Sequence, residues 1–217
     1  ADILRLWVSS ADYRNDISVS KSIIKQSSEA YRKIRNTCRF ILGNLYDFDP
    51  GRDSVAYDKL SELDKWAMMK NDQLIRRVSR AFDEYEFHVV FHAVHNFCTI
   101  ELSNIYFDVL KDKLYCSRAD DPERRAAQTV LYQLINTLAA ILTPVLAFTS
   151  EEIWGYIKRE DQPISVQLLA WPESNDVWID DELEGRMDKV LMLREVATKA
   201  LEEARVKKVI GHSLGAR

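Results

Sequence analysis

YRKIRNTCRFILGNL, Tyr31 to Leu45, sets the fold class. Around it, apolar residues recur at Ile23, Ile24, Tyr31, Ile34, Cys38, Ile41, Leu42 and Leu45. That is the spacing of one face of a helix, not the alternation of a strand. Off the stripe lie Lys25, Arg32, Lys33, Arg35, Asn36 and Arg39. Between Lys21 and Gly43, six bases stand against one acid, Glu29, giving a local charge of +5 in a chain of formal net charge -4. A helix that buries one side and turns a positive side to solvent is a candidate surface for a polyanion. A solvated basic face without a ligand is the plainer alternative.

Working outward, Ser20 is a candidate cap for this helix, and Gly43 followed by Asn44 to Gly51 is a turn-rich exit. A second helix is predicted over Leu60–Asp83, with Arg76, Arg77 and Arg80 as a lesser basic patch. The third, Tyr85–Leu110, is the most apolar and is expected to be the most buried; Lys111 and Lys113 follow it, where cations suit the helix dipole. Asp121-Pro122-Glu123 opens a fourth, which Thr143-Pro144 stops. Thr149 to Glu152 reads as a capping box for a short helix. Ile164–Ala170 is predicted to be extended, and Asp180–Lys208 is another long helix, acidic first and basic last. The expected fold is mainly all-α, an antiparallel helical bundle with a short extended segment near residues 165–170.

With 217 residues, 47% of them hydrophobic, the chain can bury a full core. No apolar run reaches the roughly 18 residues of a membrane span. Cys38, Cys98 and Cys116 lack paired spacing, and Cys38 and Cys98, on apolar helix stripes, read as reduced core residues of a cytosolic protein. Residues 151–190 hold eleven acids against four bases, which makes that region a poor RNA surface. Ala1–Val8 begins abruptly without methionine, as the interior of a longer protein would.

His88, His92 and His95 share one helix face and could hold zinc, but a site needs convergence with a fourth ligand. Packed or surface histidines are the expectation, and no metal is expected. No serine or cysteine triad is suggested, and the acid pairs Glu151-Glu152 and Asp180-Asp181 read as helix N-termini. Three functions compete: an RNA-binding module, a helical scaffold for an acidic partner, and a histidine-based metal hydrolase.

Four ordered segments change that balance: LRLWVSSADY, AYRKIRNTCRFILGNLYDFDP, YEFHVVFHAVHNFCTIELSNIYFDVLKDKLY and LTPVLAFTSEEIW. Together they resemble the bacterial isoleucyl-tRNA synthetases, class I enzymes, in the region after the catalytic domain. Valyl and leucyl relatives share the architecture. Ser18-Val19-Ser20-Lys21-Ser22 echoes the signature loop of that class but lacks its first lysine, and no HIGH tetrapeptide occurs. The resemblance implies residues 1–18 as a connector from a catalytic domain and 19–160 as an anticodon-binding helical bundle. It implies 161–217 as an extended segment plus a long helix leading to a C-terminal module. It further implies a fragment of an isoleucine–tRNA ligase with no catalytic centre of its own. ATP with magnesium, and zinc in the C-terminal module, belong to the full-length enzyme, with no cofactor in this chain. The implied partners are isoleucine tRNA and the catalytic and editing domains of the same polypeptide, in a cytoplasmic monomer with no membrane contact.

In an up-down bundle the first and third long helices run parallel, so their C-terminal ends meet. The candidate RNA-binding residues are therefore Arg32, Lys33, Arg35, Asn36 and Arg39 on the basic helix. Asn44, Tyr46, Lys111 and Lys113 join them at the bundle end. Arginine and lysine would neutralise phosphates, and asparagine and tyrosine would bond or stack on unpaired bases.

Overall fold

The computed structural model describes residues 1–211. They are helical, with no strand among the described residues. Two compact units are present, Ala1–Ile179 and a second that begins at Asp180.

The first unit holds α1 (Asp2–Ser10), α2 (Lys21–Gly43), α3 (Pro50–Asp53), α4 (Glu62–Asp83), α5 (Phe87–Asn96), α6 (Phe107–Cys116), α7 (Pro122–Leu142) and α8 (Ala147–Ile157). Local chemistry sets most of the starts. Ser20, Ser61 and Asp121 each accept a backbone N–H of the first turn, and Pro122 follows its cap where no N–H is needed. Between α5 and α6 the chain does not break: Phe97–Tyr106 continues as a π-helix. The reason is visible in the core spacing. Cys98, Leu102, Tyr106, Leu110 and Leu114 are all buried and recur every fourth residue. A four-residue repeat drifts around a 3.6-residue helix, and a wider turn takes up part of that drift.

α2 runs parallel to this α5–α6 line. Thr37 donates to the Cys98 carbonyl at 3.2 Å, and Phe40 stacks on Phe107 with ring centroids 4.3 Å apart. At their C-terminal ends Arg124 of α7 bridges the two lines, reaching Asp47 just past α2 and the Leu114 carbonyl of α6. The most buried element is α7, with thirteen buried residues, not the expected Tyr85–Leu110 span. Helix α7 packs against α2, α4, α6 and α8, which cover most of its surface and leave a partly open stripe through Thr129, Tyr132 and Asn136.

Several local expectations need correction. The residues read as a capping box lie inside α8, which starts at Ala147. Thr149 is buried and bonds Asp2 through its backbone N–H at 2.9 Å and its hydroxyl at 2.6 Å. The run read as extended is a 3-10 turn at Val166–Leu168, closed by Ser165 as its cap and flanked by extended backbone. Residues 1–18 include α1, whose Leu6 is buried and whose Arg5 donates to the Val145 carbonyl at 2.9 Å. Residues 161–179 stay with the first unit. Trp171 donates to Ser79 at 2.7 Å, and Asp176 pairs with Arg76.

The second unit is α9 (Asp181–Val206), capped by Asp180 onto the Leu183 N–H at 2.9 Å. Acids Asp181, Glu182 and Glu184 fill its first turn and Arg205 its last, each complementing the dipole.

Candidate nucleic-acid interface

Two helices build the site. Arg35, Cys38, Arg39 and Leu42 of α2 stand at i, i+3, i+4 and i+7, and Thr149, Glu152, Ile153 and Tyr156 of α8 repeat the same spacing. Each set makes one stripe along its helix. The two stripes, with Gly43, line a groove of about 370 Å³. Cys38 and Ile153 form its buried floor, whereas Arg35, Arg39, Glu152 and Tyr156 are exposed along its rim.

The α8 side is held rigidly. The one proton of the Thr149 hydroxyl goes to the Asp2 carboxylate, so the Tyr31 hydroxyl donates to Thr149, at 3.1 Å. This links α1, α2 and α8. On the rim, Arg35 lies 3.5 Å from Glu152, and Arg32 is bonded to Glu29 at 2.6 Å. Arg32, Lys33, Arg35, Asn36 and Arg39 are all exposed, so the expected basic face of α2 is real in space. On neighbouring α5, burial lowers the His95 pKa, and the charge of Lys33 adds to that.

The bundle end is different. Asn44 is buried, gives its amide to the Phe40 carbonyl at 2.8 Å, and receives Gln128 on its own carbonyl at 2.8 Å. It closes α2 from inside. Lys111 is paired with Asp108 and Lys113 with Glu123, both at 3.0 Å. Tyr46 is the exception, 80% exposed. Beneath it, Arg124 clamps both oxygens of Asp47, at 2.6 and 3.0 Å, and also reaches the Leu114 carbonyl. The Arg124 guanidinium holds the Asp47 carboxyl below its ordinary range, helped by Gln128 and Arg125 and opposed by burial.

The lesser patch on α4 is partly consumed as well. Arg76 bonds buried Asp72 at 2.6 Å and also Asp176, leaving Arg77 and Arg80 exposed. The three histidines do not converge. His95 stacks on Phe91 with centroids 5.9 Å apart, and His92 meets the same ring at 69°. Among the described residues no three His, Cys, Asp or Glu side chains gather as a metal site requires.

Glu152 and Tyr156 fall outside the sequence expectation, because the region after residue 150 is acidic and Glu151-Glu152 reads as a helix N-terminus. The matching i, i+3, i+4, i+7 stripes were the available signal.

The family of anticodon-binding domains of tRNA ligases matches residues 64–217. That range contains α8, Lys111 and Lys113, but neither the basic face of α2 nor Asn44 and Tyr46. The chain is 73% identical over 216 residues to the isoleucine–tRNA ligase of Syntrophomonas wolfei subsp. wolfei. The match covers 100% of this chain and 23% of that protein. It is 55% identical over 217 residues to the corresponding ligase of Moorella thermoacetica, with the same coverages. The chain thus spans about 23% of the length of these relatives. In fold it is similar to the agnB2 LeuRS of Agrobacterium radiobacter K84, solved as a LeuRS–tRNA–LeuAMS ternary complex. The TM-score is 0.59 at 16% identity, over 82% of this chain and 20% of that one. No helix among the described residues is long and apolar enough to cross a membrane. With a family match over well more than half its length, the chain belongs to the anticodon-binding domains of tRNA ligases, in a form that matches isoleucine–tRNA ligases from end to end.

Proposed function

We propose that this chain grips the anticodon arm of isoleucine tRNA, and that the ligation of isoleucine is carried out by other domains of a cytoplasmic, monomeric ligase. ATP with magnesium, the editing site and the zinc module are assigned to those other domains. The observation that carries the reading is the exposed row Arg32, Lys33, Arg35, Asn36 and Arg39 beside the groove between α2 and α8. Exposed cations neutralise the phosphates of a loop without sequence preference, and unpaired bases then reach a cleft lined by an aromatic ring. Tyr156 and Tyr46 supply rings open to solvent. Asn44, Lys111 and Lys113 take lesser parts, since each already serves a partner within the fold.

The test is binding of the purified chain to an isoleucine anticodon stem-loop and to a non-cognate one over a salt series. Arg39→Ala is expected to weaken both and to flatten the salt dependence by about one counterion. Unchanged affinity and slope for Arg39→Ala would remove α2 from the interface.

A further inference from the structure

One feature of the groove runs against phosphate binding: Glu152 stands on the same rim as Arg35 and Arg39. Its side chain is 53% exposed, and the Arg35 guanidinium is 3.5 Å away. A charge-assisted hydrogen bond closes to about 2.7–2.9 Å, so this pair is loose and leaves the carboxylate free to accept. Toward a backbone phosphate, a carboxylate is only repulsive. Toward the Watson–Crick edge of an unpaired base it is an acceptor for N–H groups, and it discriminates by what that edge offers. Guanine presents two adjacent donors there, N1–H and the N2 amine, which match the two oxygens of one carboxylate. Uracil presents a single N–H between two carbonyl oxygens that a carboxylate repels.

The geometry points to Glu152 as a specificity-determining residue that accepts the Watson–Crick edge of an unpaired guanine lodged in the groove. Arg35 holds the carboxylate at the rim, Tyr156 offers its ring to the base and Arg39 takes the flanking phosphate. The inference rests on the RNA-binding reading above and adds a base preference to it. At about 370 Å³ the groove sits within the range of small-ligand clefts, roughly 300–1,000 Å³, with room for one base rather than a helix.

The experiment measures affinities of the purified chain for stem-loop RNAs that carry guanosine, inosine, cytidine or uridine at each unpaired loop position in turn. The wild-type chain is expected to prefer guanosine over uridine about tenfold at one position, with inosine losing much of that preference because it lacks the N2 amine. Glu152→Gln removes a negative charge. It is expected to bind every loop at least as tightly as wild type and to bring guanosine and uridine within about twofold. A Glu152→Gln chain that keeps the guanosine preference overturns the inference, as does one that shifts all four loops equally, the behaviour of a residue that only positions Arg35. A wild-type preference for cytidine or uridine overturns it too. These results leave the RNA-binding reading standing wherever Arg39→Ala still weakens binding. A wild-type chain that binds no stem-loop at all sinks both.

Discussion

Arg124 and Arg39 mark two regions of one bundle that look alike in composition and differ in what their charges do. Arg124 is buried at the meeting of α2, α6 and α7, where it clamps Asp47 in two parallel hydrogen bonds. Arg39 is exposed on α2, beside an open groove. The first gives four hydrogen bonds to the fold, on Asp47, Leu114 and Ala119, and the second keeps its donors for a partner. The lesson is that a cation becomes a ligand-binding group only where the fold leaves it an unfilled hydrogen-bonding side. Lys111, Lys113 and Arg76, each basic and each near a helix end or face, fall on the structural side of that line.

The largest expected effect separates the two regions directly. Arg124→Met should cost about 3 kcal/mol, because it breaks the bidentate pair and leaves the half-buried Asp47 carboxylate with only Gln128 and Arg125. Urea denaturation reads it, and a cost below about 1 kcal/mol would break the contrast.

Acid should probe the same clamp more gently. Asp47 is held below its ordinary pKa, so the native state binds fewer protons there than the unfolded chain does. The stabilisation is complete above about pH 4 and is lost as pH falls through the depressed native value. Urea midpoints followed from pH 6 to pH 2 should fall less steeply below pH 4 in Asp47→Asn than in wild type. Parallel profiles would mean that the carboxylate carries no such linkage.

Asn44→Ala is expected to cost about 1 kcal/mol, the net worth of the bond to the Phe40 carbonyl that closes α2. It should leave the preference among RNA loops unchanged. A lost base preference at unchanged thermal stability would move Asn44 into the interface.

The smallest stability effect belongs to Arg39→Ala, under about 0.5 kcal/mol by thermal melting, since an exposed side chain on a helix face is replaced by a better helix former. A larger loss would show that Arg39 serves the fold.

Much of the fold was legible because its signals are local. The stripe through Ile34, Cys38 and Ile41, the Ser20 and Asp121 caps and the Pro122 start are written within a few residues of where they act. Thr149 failed as a cap because its partner, Asp2, lies across the bundle. The predicted extended run failed because Ser165 caps a turn through a bond two residues long, a pattern that apolar periodicity does not register.

Sequence alone determined that this chain is helical and that α2 carries one apolar and one basic side. Periodicity sets both, and it is a property of neighbouring residues. The tertiary structure alone decided which basic side chains remain available. Asp47 reaches Arg124 and Glu123 reaches Lys113 across helices, and Glu152 arrives opposite Arg35 from more than a hundred residues away. Ion pairing falls off within a few ångströms in water, so such partners are fixed by where the backbone places them and not by order along the chain.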